Sequence, residues 1–277
     1  MSARQSEVKI RFWGARGSIP VSDDQTAKFG GNTACVEIRH AGRIFLLDAG
    51  SGLRSAGEAL LAEGARQYHI FLSHWHYDHV MGLPFFRPLM LPDAKCTLWA
   101  PNLQAGPAAK IVSQLMHPPF FPISPGMFQA KVDYRNFEPG DVLAPGEGVS
   151  IRTALLPHPG GSAGYRIECA GRTIVYMTDT SHRAGAVDER VRDLISAADL
   201  LIYDCMYSDE EFALHGGYGH STWNEGVRIC QAAGVARLAL FHHAPDRSDE
   251  ALVHIERQAQ ALFPSSIAAR QGMTLSL

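Results

Sequence analysis

The chain has 277 residues, room for one large domain or two small ones, and its 25 Lys+Arg against 28 Asp+Glu leave a formal net charge of -3, which excludes the global basic field that drives nucleic-acid affinity. Five scattered cysteines (Cys35, Cys96, Cys169, Cys205, Cys230) form no C-x-x-C pair, an arrangement that argues against a disulfide framework or zinc ribbon and for reduced, buried thiols. Residues 1–7 lack the apolar core of a signal peptide and no apolar run is long enough for a membrane span, so a cytoplasmic protein without membrane contact is expected.

Residues 8–13 alternate as a strand and run into the glycine-punctuated turn Gly14-Ala15-Arg16-Gly17-Ser18-Ile19-Pro20,. Arg16 has two readings, a cation that binds an anionic substrate or a structural arginine that hydrogen-bonds loop carbonyls. Strands at 33–40 and 43–47 follow, joined at Ala41-Gly42, then Asp48 and a helix at 53–62. The apolar run 68–72 reads as a buried strand and spills into Ser73-His74-Trp75-His76-Tyr77-Asp78-His79,. Four metal-capable side chains in H-x-H-x-D-H order at a strand end point to a divalent ion held through nitrogen and oxygen.

Prolines interrupt residues 82–133, where only 108–116 looks helical,. Residues 117–128 are too apolar for a solvated linker: they cover a pocket, meet a partner subunit in a homodimer, or simply pack,. The second half opens on a Pro/Gly-rich stretch at 138–148, with strands at 151–155 and 165–168 flanking Pro157-His158-Pro159-Gly160-Gly161. Helices are expected at 186–197, 223–233 and from Ser248 to about residue 263, with Thr222 and Glu225 at capping-box spacing and Gly234 as the stop,. The apolar runs 200–203 and 237–241 suit strands covered on both faces,. The stretch from Gly31 to Asp48 recurs from Gly161 to Asp179 as a second hairpin ending in aspartate. Two related β-rich halves are therefore expected, with a site between them.

Taken together, the H-x-H-x-D-H motif, the later His158, Asp179 and His242, and Gly219-His220-Ser221-Thr222 before a helix resemble the metallo-β-lactamase fold superfamily. Within it they resemble the branch containing tRNase Z and related phosphodiesterases, over nearly the whole chain. The resemblance implies a single α/β domain, residues 1–277, built as a four-layer αβ/βα sandwich of two mixed β-sheets with helices on the outer faces. Two departures stand out. Tyr203-Asp204 replaces the His-Glu pair of tRNase Z, and the protruding arm with which tRNase Z grips tRNA has no counterpart.

Carried over by position, the resemblance implies two divalent metal ions, with zinc as the default and manganese or iron as alternatives. His74, His76 and His158 would hold one ion, Asp78, His79 and His242 the other, and Asp179 would bridge them; the neighbouring His243 is the rival to His242. Asp78 counts among the catalytic residues along with His220, a general acid oriented by Asp204. Asp48 would fix the orientation of a ligand. His40, His69, His117, His182, His215 and His254 lack ligand spacing and are left unassigned. The leading expectation is a phosphodiesterase for a small, cyclic-nucleotide-like diester, with long nucleic acid disfavoured. The alternatives are an RNA-processing nuclease, an ester, thioester, lactone or β-lactam hydrolase, and a non-catalytic metal-binding module.

Overall fold

The computed structural model describes residues 7–103, 106–183 and 189–277, with the backbone alone at 215 and 217. Its first sheet draws on both ends of the chain. Strands β1 (Lys9–Gly14), β2 (Cys35–His40), β3 (Arg43–Leu47), β4 (Gln67–Phe71), β5 (Lys95–Pro101) and β6 (Lys131–Phe137) are joined by β14 (Thr274–Ser276), in the order β14-β1-β2-β3-β4-β5-β6. The second sheet holds β7 (Val142–Gly146), β8 (Val149–Leu156), β9 (Ser162–Cys169), β10 (Arg172–Met177), β11 (Leu200–Asp204), β12 (Leu238–Phe241) and β13 (Ser266–Ala268), in the order β13-β12-β11-β10-β9-β8-β7. The helices are α1 (Gly52–Ala62), α2 (Tyr77–Val80), α3 (Ala108–Leu115), α4 (Glu189–Ile195), α5 (Asp209–His215), α6 (Trp223–Ala233) and α7 (Asp249–Leu262). Among the described residues no helix is long and apolar enough to cross a membrane.

Side-chain alternation assigns each strand two buried faces, which is why the central strands read as unbroken apolar runs. On β3 and β10, Phe45, Leu47, Ile174 and Tyr176 enter the core between the sheets. Their neighbours Ile44 and Leu46 join the layer that packs with α1 and α3, and Val175 and Met177 the layer that packs with α4, α6 and α7. Aromatic pairs such as Phe12–Phe241 and Phe71–Tyr165, with centroids 6.1 and 6.0 Å apart, tie the inner faces together. Each such buried ring contributes roughly 1.5–3 kcal/mol. The result is the expected αβ/βα sandwich of two mixed sheets.

The repeat seen in the sequence is a repeat of structure. The β2–β3 and β9–β10 hairpins are both antiparallel, and both β3 and β10 pair on their other side with a parallel strand. The turns Ala41-Gly42 and Ala170-Gly171 have positive φ at both positions, the conformation that matches the twist of a two-residue hairpin,. Asp48 and Asp179 follow their hairpins at φ +59° and +51°.

Some elements differ from the sequence reading. The proline-rich stretch 82–133 contains all of β5 and the start of β6, parallel to one another; Pro101 sits at the end of β5, where the ladder can spare a donor. The 138–148 stretch contains the edge strand β7, paired with β8. Helix α5 was not anticipated, although Ser208 and Glu211 form its full capping box. At α6 only half of the expected box is present: Thr222 accepts the Glu225 N–H, while the Glu225 carboxylate takes Arg228 Nε. The helix expected at 186–197 is seen as α4, its first three residues lying outside the described residues. In the apolar 117–128 stretch, Phe121, Ile123 and Phe128 pack on the outer layer of the first sheet, while Phe120 and Met127 are exposed. All five cysteines are free and buried.

Candidate metal centre

The site collects the ends of strands from both sheets. The loop after β4 brings His74 and His76, α2 brings Asp78 and His79, and the loops after β8, β10 and β12 bring His158, Asp179 and His242. Asp179 stands between two sets of imidazoles and divides its oxygens between them. Oδ1 lies 3.8 Å from His74 Nε2 and 3.6 Å from His158 Nε2. Oδ2 lies 3.0 Å from His79 Nε2 and 3.1 Å from His242 Nε2. His76 Nδ1 is 3.1 Å from His158 Nε2, and Asp78 Oδ2 is 3.2 and 3.3 Å from the Nε2 atoms of His79 and His242. His74, His76, His158 and Asp179 thus form one potential ligand group, and Asp78, His79 and His242 another.

Hydrogen bonds behind three of the rings, His79, His74 and His158, decide which nitrogen each presents. An ionised carboxylate only accepts, so Asp48 fixes a proton on His79 Nδ1, 2.8 Å away, and His79 Nε2 faces the cluster,. Asp48 is itself held by Ser73 N at 2.7 Å, Ser73 Oγ at 2.8 Å and the Tyr176 hydroxyl at 2.7 Å. Ser73 gives its one hydroxyl proton to Asp48, so its oxygen receives His74 Nδ1–H at 3.0 Å and His74 Nε2 turns inward. His158 donates Nδ1–H to the Gly219 carbonyl at 2.9 Å. Thr178 Oγ1 donates to Asp179 Oδ2 at 2.7 Å. Outer partners of this kind are what a ligating histidine requires.

The electrostatics fit divalent cations. Burial first, and neighbouring imidazoles second, push His74 below the usual histidine range, and burial likewise lowers His76 and His158, leaving them neutral and able to ligate,. Burial would lower His79 too, but Asp179, Asp78 and Asp48 outweigh it and push its pKa well up. Burial would raise Asp78 and Asp179, yet the surrounding imidazoles hold both below the usual carboxylate range. The pocket therefore calls for positive charge among its nitrogens. His74 Nε2 is buried with no hydrogen-bond partner, and the Nε2 atoms of His79 and His242 face each other at 3.3 Å. Lone pairs converging in this way suit divalent ions bound through nitrogen and carboxylate.

Beside the cluster, His220 Nδ1 donates to Asp204 Oδ2 at 2.9 Å. Asp204 is fully buried and also accepts from Thr180 N and Met206 N. Burial would lower His220, but the Asp204 carboxylate outweighs it and raises the pKa to about 9. The His220 ring stacks on His242 with centroids 5.0 Å apart, and His220, Asp179 and His242 form a third group with ligand spacing. His243 points away: its Nε2 donates to the Ala269 carbonyl at 2.8 Å, and burial lowers its pKa to about 3. His182 meets Ser221 Oγ at 2.8 Å, behind the loop that carries His220.

Arg16 is a correction. The side chain is fully buried, Nε donates to the Gly30 carbonyl, and Nη1 donates to the carbonyls of Ala244 and Arg247. It staples loops rather than facing substrate. The turn that carries it is part of the wall of the centre: Ser18 N–H donates to Asp78 Oδ2 at 2.8 Å, and a Cβ on Gly17 would lie 2.5 Å from the His242 ring. Only glycine allows that approach. Ser18, Tyr176 and Thr178 were missed in the sequence. Of these, Tyr176 and Thr178 precede the repeated aspartate, where a hydroxyl beside a carboxylate was the available signal.

The chain resembles known proteins along its whole length. It is 26% identical to "Ribonuclease Z" of Methanosarcina acetivorans, across 98% of both chains. The metallo-beta-lactamase fold protein YhfI from Bacillus subtilis superposes with a TM-score of 0.75 at 20% identity, covering 98% of this chain and 100% of that one. A diphosphatase of the PhnP family gives 0.71 at 20% identity, covering 98% and 97%. At such identities the structural matches establish the fold. The beta-lactamase superfamily domain family matches residues 43–243, a span that holds the H-x-H-x-D-H motif, His158, Asp179, His220 and His242, and the chain belongs to that family.

Proposed function

We propose that this protein is a dinuclear metal-dependent hydrolase that cleaves compact phosphodiesters, of about the size of a cyclic nucleotide. The single observation that carries the reading is the Asp204–His220 pair at the edge of the metal centre, 2.9 Å apart and stacked against His242. In this reading His74, His76 and His158 would hold one ion and Asp78, His79 and His242 the second, with Asp179 shared between the two groups. Two bound divalent ions, with zinc as the expected metal, would supply a nucleophile from water near neutral pH and neutralise charge on the phosphoryl oxygens. The protein supplies the rest. Asp204 takes Nδ1–H and so leaves Nε2 of His220 to deliver a proton to the departing oxygen, as an alkoxide leaving phosphorus requires. Asp48, through His79, keeps a ligand nitrogen turned to the centre.

A second reading, RNA processing, is favoured by the relatives named Ribonuclease Z. Against it, the chain between His158 and Asp179 holds only the β9–β10 hairpin, closed by Ala170-Gly171, and net charge is -3. A long polyanion needs many phosphate contacts. The test is a set of kcat/KM values at matched metal loading for cyclic nucleotides, small diesters, precursor tRNA, thioesters and lactones. Compact diesters are expected to lead. Precursor tRNA in the lead would establish the second reading, and thioesters or lactones in the lead would overturn both.

A further inference from the structure

A cleft of about 700 Å³ opens beside His158, between the loop after β5 and the end of β8. That volume is in the range of small-ligand sites. Leu103 and Leu155 converge on its floor: a Cβ placed on Gly161 would lie 3.0 Å from Leu103 Cδ2 and 3.2 Å from Leu155 Cδ1. Leu155 is half exposed, an apolar side chain left facing the cleft. Apart from His158, the one ionisable group among the described lining residues is Glu138, whose Oε1 accepts Asn102 Nδ2 at 2.7 Å. That wall accepts hydrogen bonds, and it presents no lysine or arginine.

We infer that this cleft seats the substituent that stays on phosphorus after cleavage, and that it selects an uncharged, flat, donor-bearing group of the nucleobase class while rejecting a second phosphate. The inference rests on the phosphodiesterase reading and adds the substrate class. His158 lies in the cleft wall while its imidazole, 2% exposed, belongs to the metal centre, so a substituent on a phosphoryl group held at the centre has that loop to cross to reach the cleft. His220 is not among the lining residues; its ring lies against that of His158, with centroids 5.4 Å apart. The leucines offer apolar contact to a ring, and the Glu138 carboxylate can accept from ring N–H or amino donors. A phosphate in the same place would meet Glu138 with no cation to offset the repulsion.

The test compares metal-loaded enzyme on three substrates with one leaving group: methyl p-nitrophenyl phosphate, thymidine 5′-(p-nitrophenyl phosphate), and the latter carrying a 3′-phosphate. The nucleoside ester should exceed the methyl ester in kcat/KM by about 10-fold or more, chiefly through KM. Leu155→Asn should reduce that preference to near parity while leaving the methyl ester unchanged. Glu138→Gln should relieve the penalty on the 3′-phosphate by roughly 3–10-fold. Equal rates on the first two esters, a preference that survives Leu155→Asn, or faster turnover of the 3′-phosphate ester would overturn the cleft assignment and leave the phosphodiesterase reading intact. Hydrolysis of none of the three would overturn both.

Discussion

Replacing Asp48 by Asn isolates the choice of ring nitrogen from every other feature of the centre. The residue sits at φ +59°, a left-handed conformation that asparagine accepts readily, so the backbone is not disturbed,. The carboxylate is fully buried and accepts four hydrogen bonds, from Ser73 N, Ser73 Oγ, Tyr176 OH and His79 Nδ1. An amide in its place has one accepting atom, so its NH2 must meet either Ser73 N–H or the His79 side. In the first case two donors face each other in a buried site, at a cost of about 1–3 kcal/mol. In the second, His79 Nδ1 becomes an acceptor and its proton moves to Nε2, the atom that faces Asp78, Asp179 and His242. Loss of such an outer partner costs roughly 10–100-fold in metal affinity, equivalent to about 1.4–2.7 kcal/mol. Competition with a graded chelator, read by elemental analysis, measures this directly, and Tyr176→Phe, which removes one donor and leaves the carboxylate, should show a much smaller loss. Wild-type affinity and turnover in Asp48→Asn would refute the claim that Asp48 sets the His79 nitrogen.

His220→Ala should retain the metals yet lower the rate on alkyl diesters by about 10²–10⁴-fold, and p-nitrophenyl diesters, whose leaving group needs no proton, should suffer far less; equal losses would assign His220 to packing or ligation. His243 gives a pH prediction. Burial depresses its folded pKa from the usual 6.5 to about 3, so the unfolded chain binds a proton that the native state refuses; the contribution is complete above pH 6.5 and is lost as pH falls toward 3, at about 1.4 kcal/mol per unit. Urea unfolding of wild type and His243→Gln should therefore diverge by roughly 2 kcal/mol in their losses between pH 6.5 and 5, and parallel pH profiles would count against it.

What could be read in the sequence was what covalent spacing or periodicity carries. His74, His76, Asp78 and His79 announce themselves because a strand end and one short helix hold all four. His158, Asp179 and His242 have no such spacing, and they meet only because parallel strands of two sheets end at one place; resemblance, not periodicity, located them. Of the partners that aim the rings, Asp48 and Asp204 were expected, while Tyr176, which bonds Asp48 across 128 positions, was out of reach. Arg16 shows the converse. A cation in a glycine turn allowed two readings, and three loop carbonyls decided between them. Strands β5 and β6 were hidden because their pairing is parallel and long-range, while the prolines around them are local and conspicuous.

The two halves of the chain place an aspartate at the same point, after the second strand of a hairpin and in the same left-handed turn, yet the two carboxylates meet different surroundings. Asp48 is saturated by its four donors, so its lone pairs are committed and it can act only on the ring it holds. Asp179 receives the Thr178 hydroxyl, and both of its oxygens otherwise face the Nε2 atoms of His74, His158, His79 and His242. A carboxylate with uncommitted lone pairs among imidazole nitrogens is a ligand in waiting; one with none is a positioning group. The division of labour between the halves thus follows from hydrogen-bond supply rather than from backbone geometry. In the first half Ser73 provides a hydroxyl and a backbone N–H at the end of the neighbouring parallel strand, and Tyr176 reaches Asp48 from the other sheet. In the second half the neighbouring parallel strand β11 ends in Asp204, which accepts from Thr180 N–H and His220 and gives Asp179 no hydrogen bond. The second aspartate is left open to the centre, and Asp204 beside it orients His220.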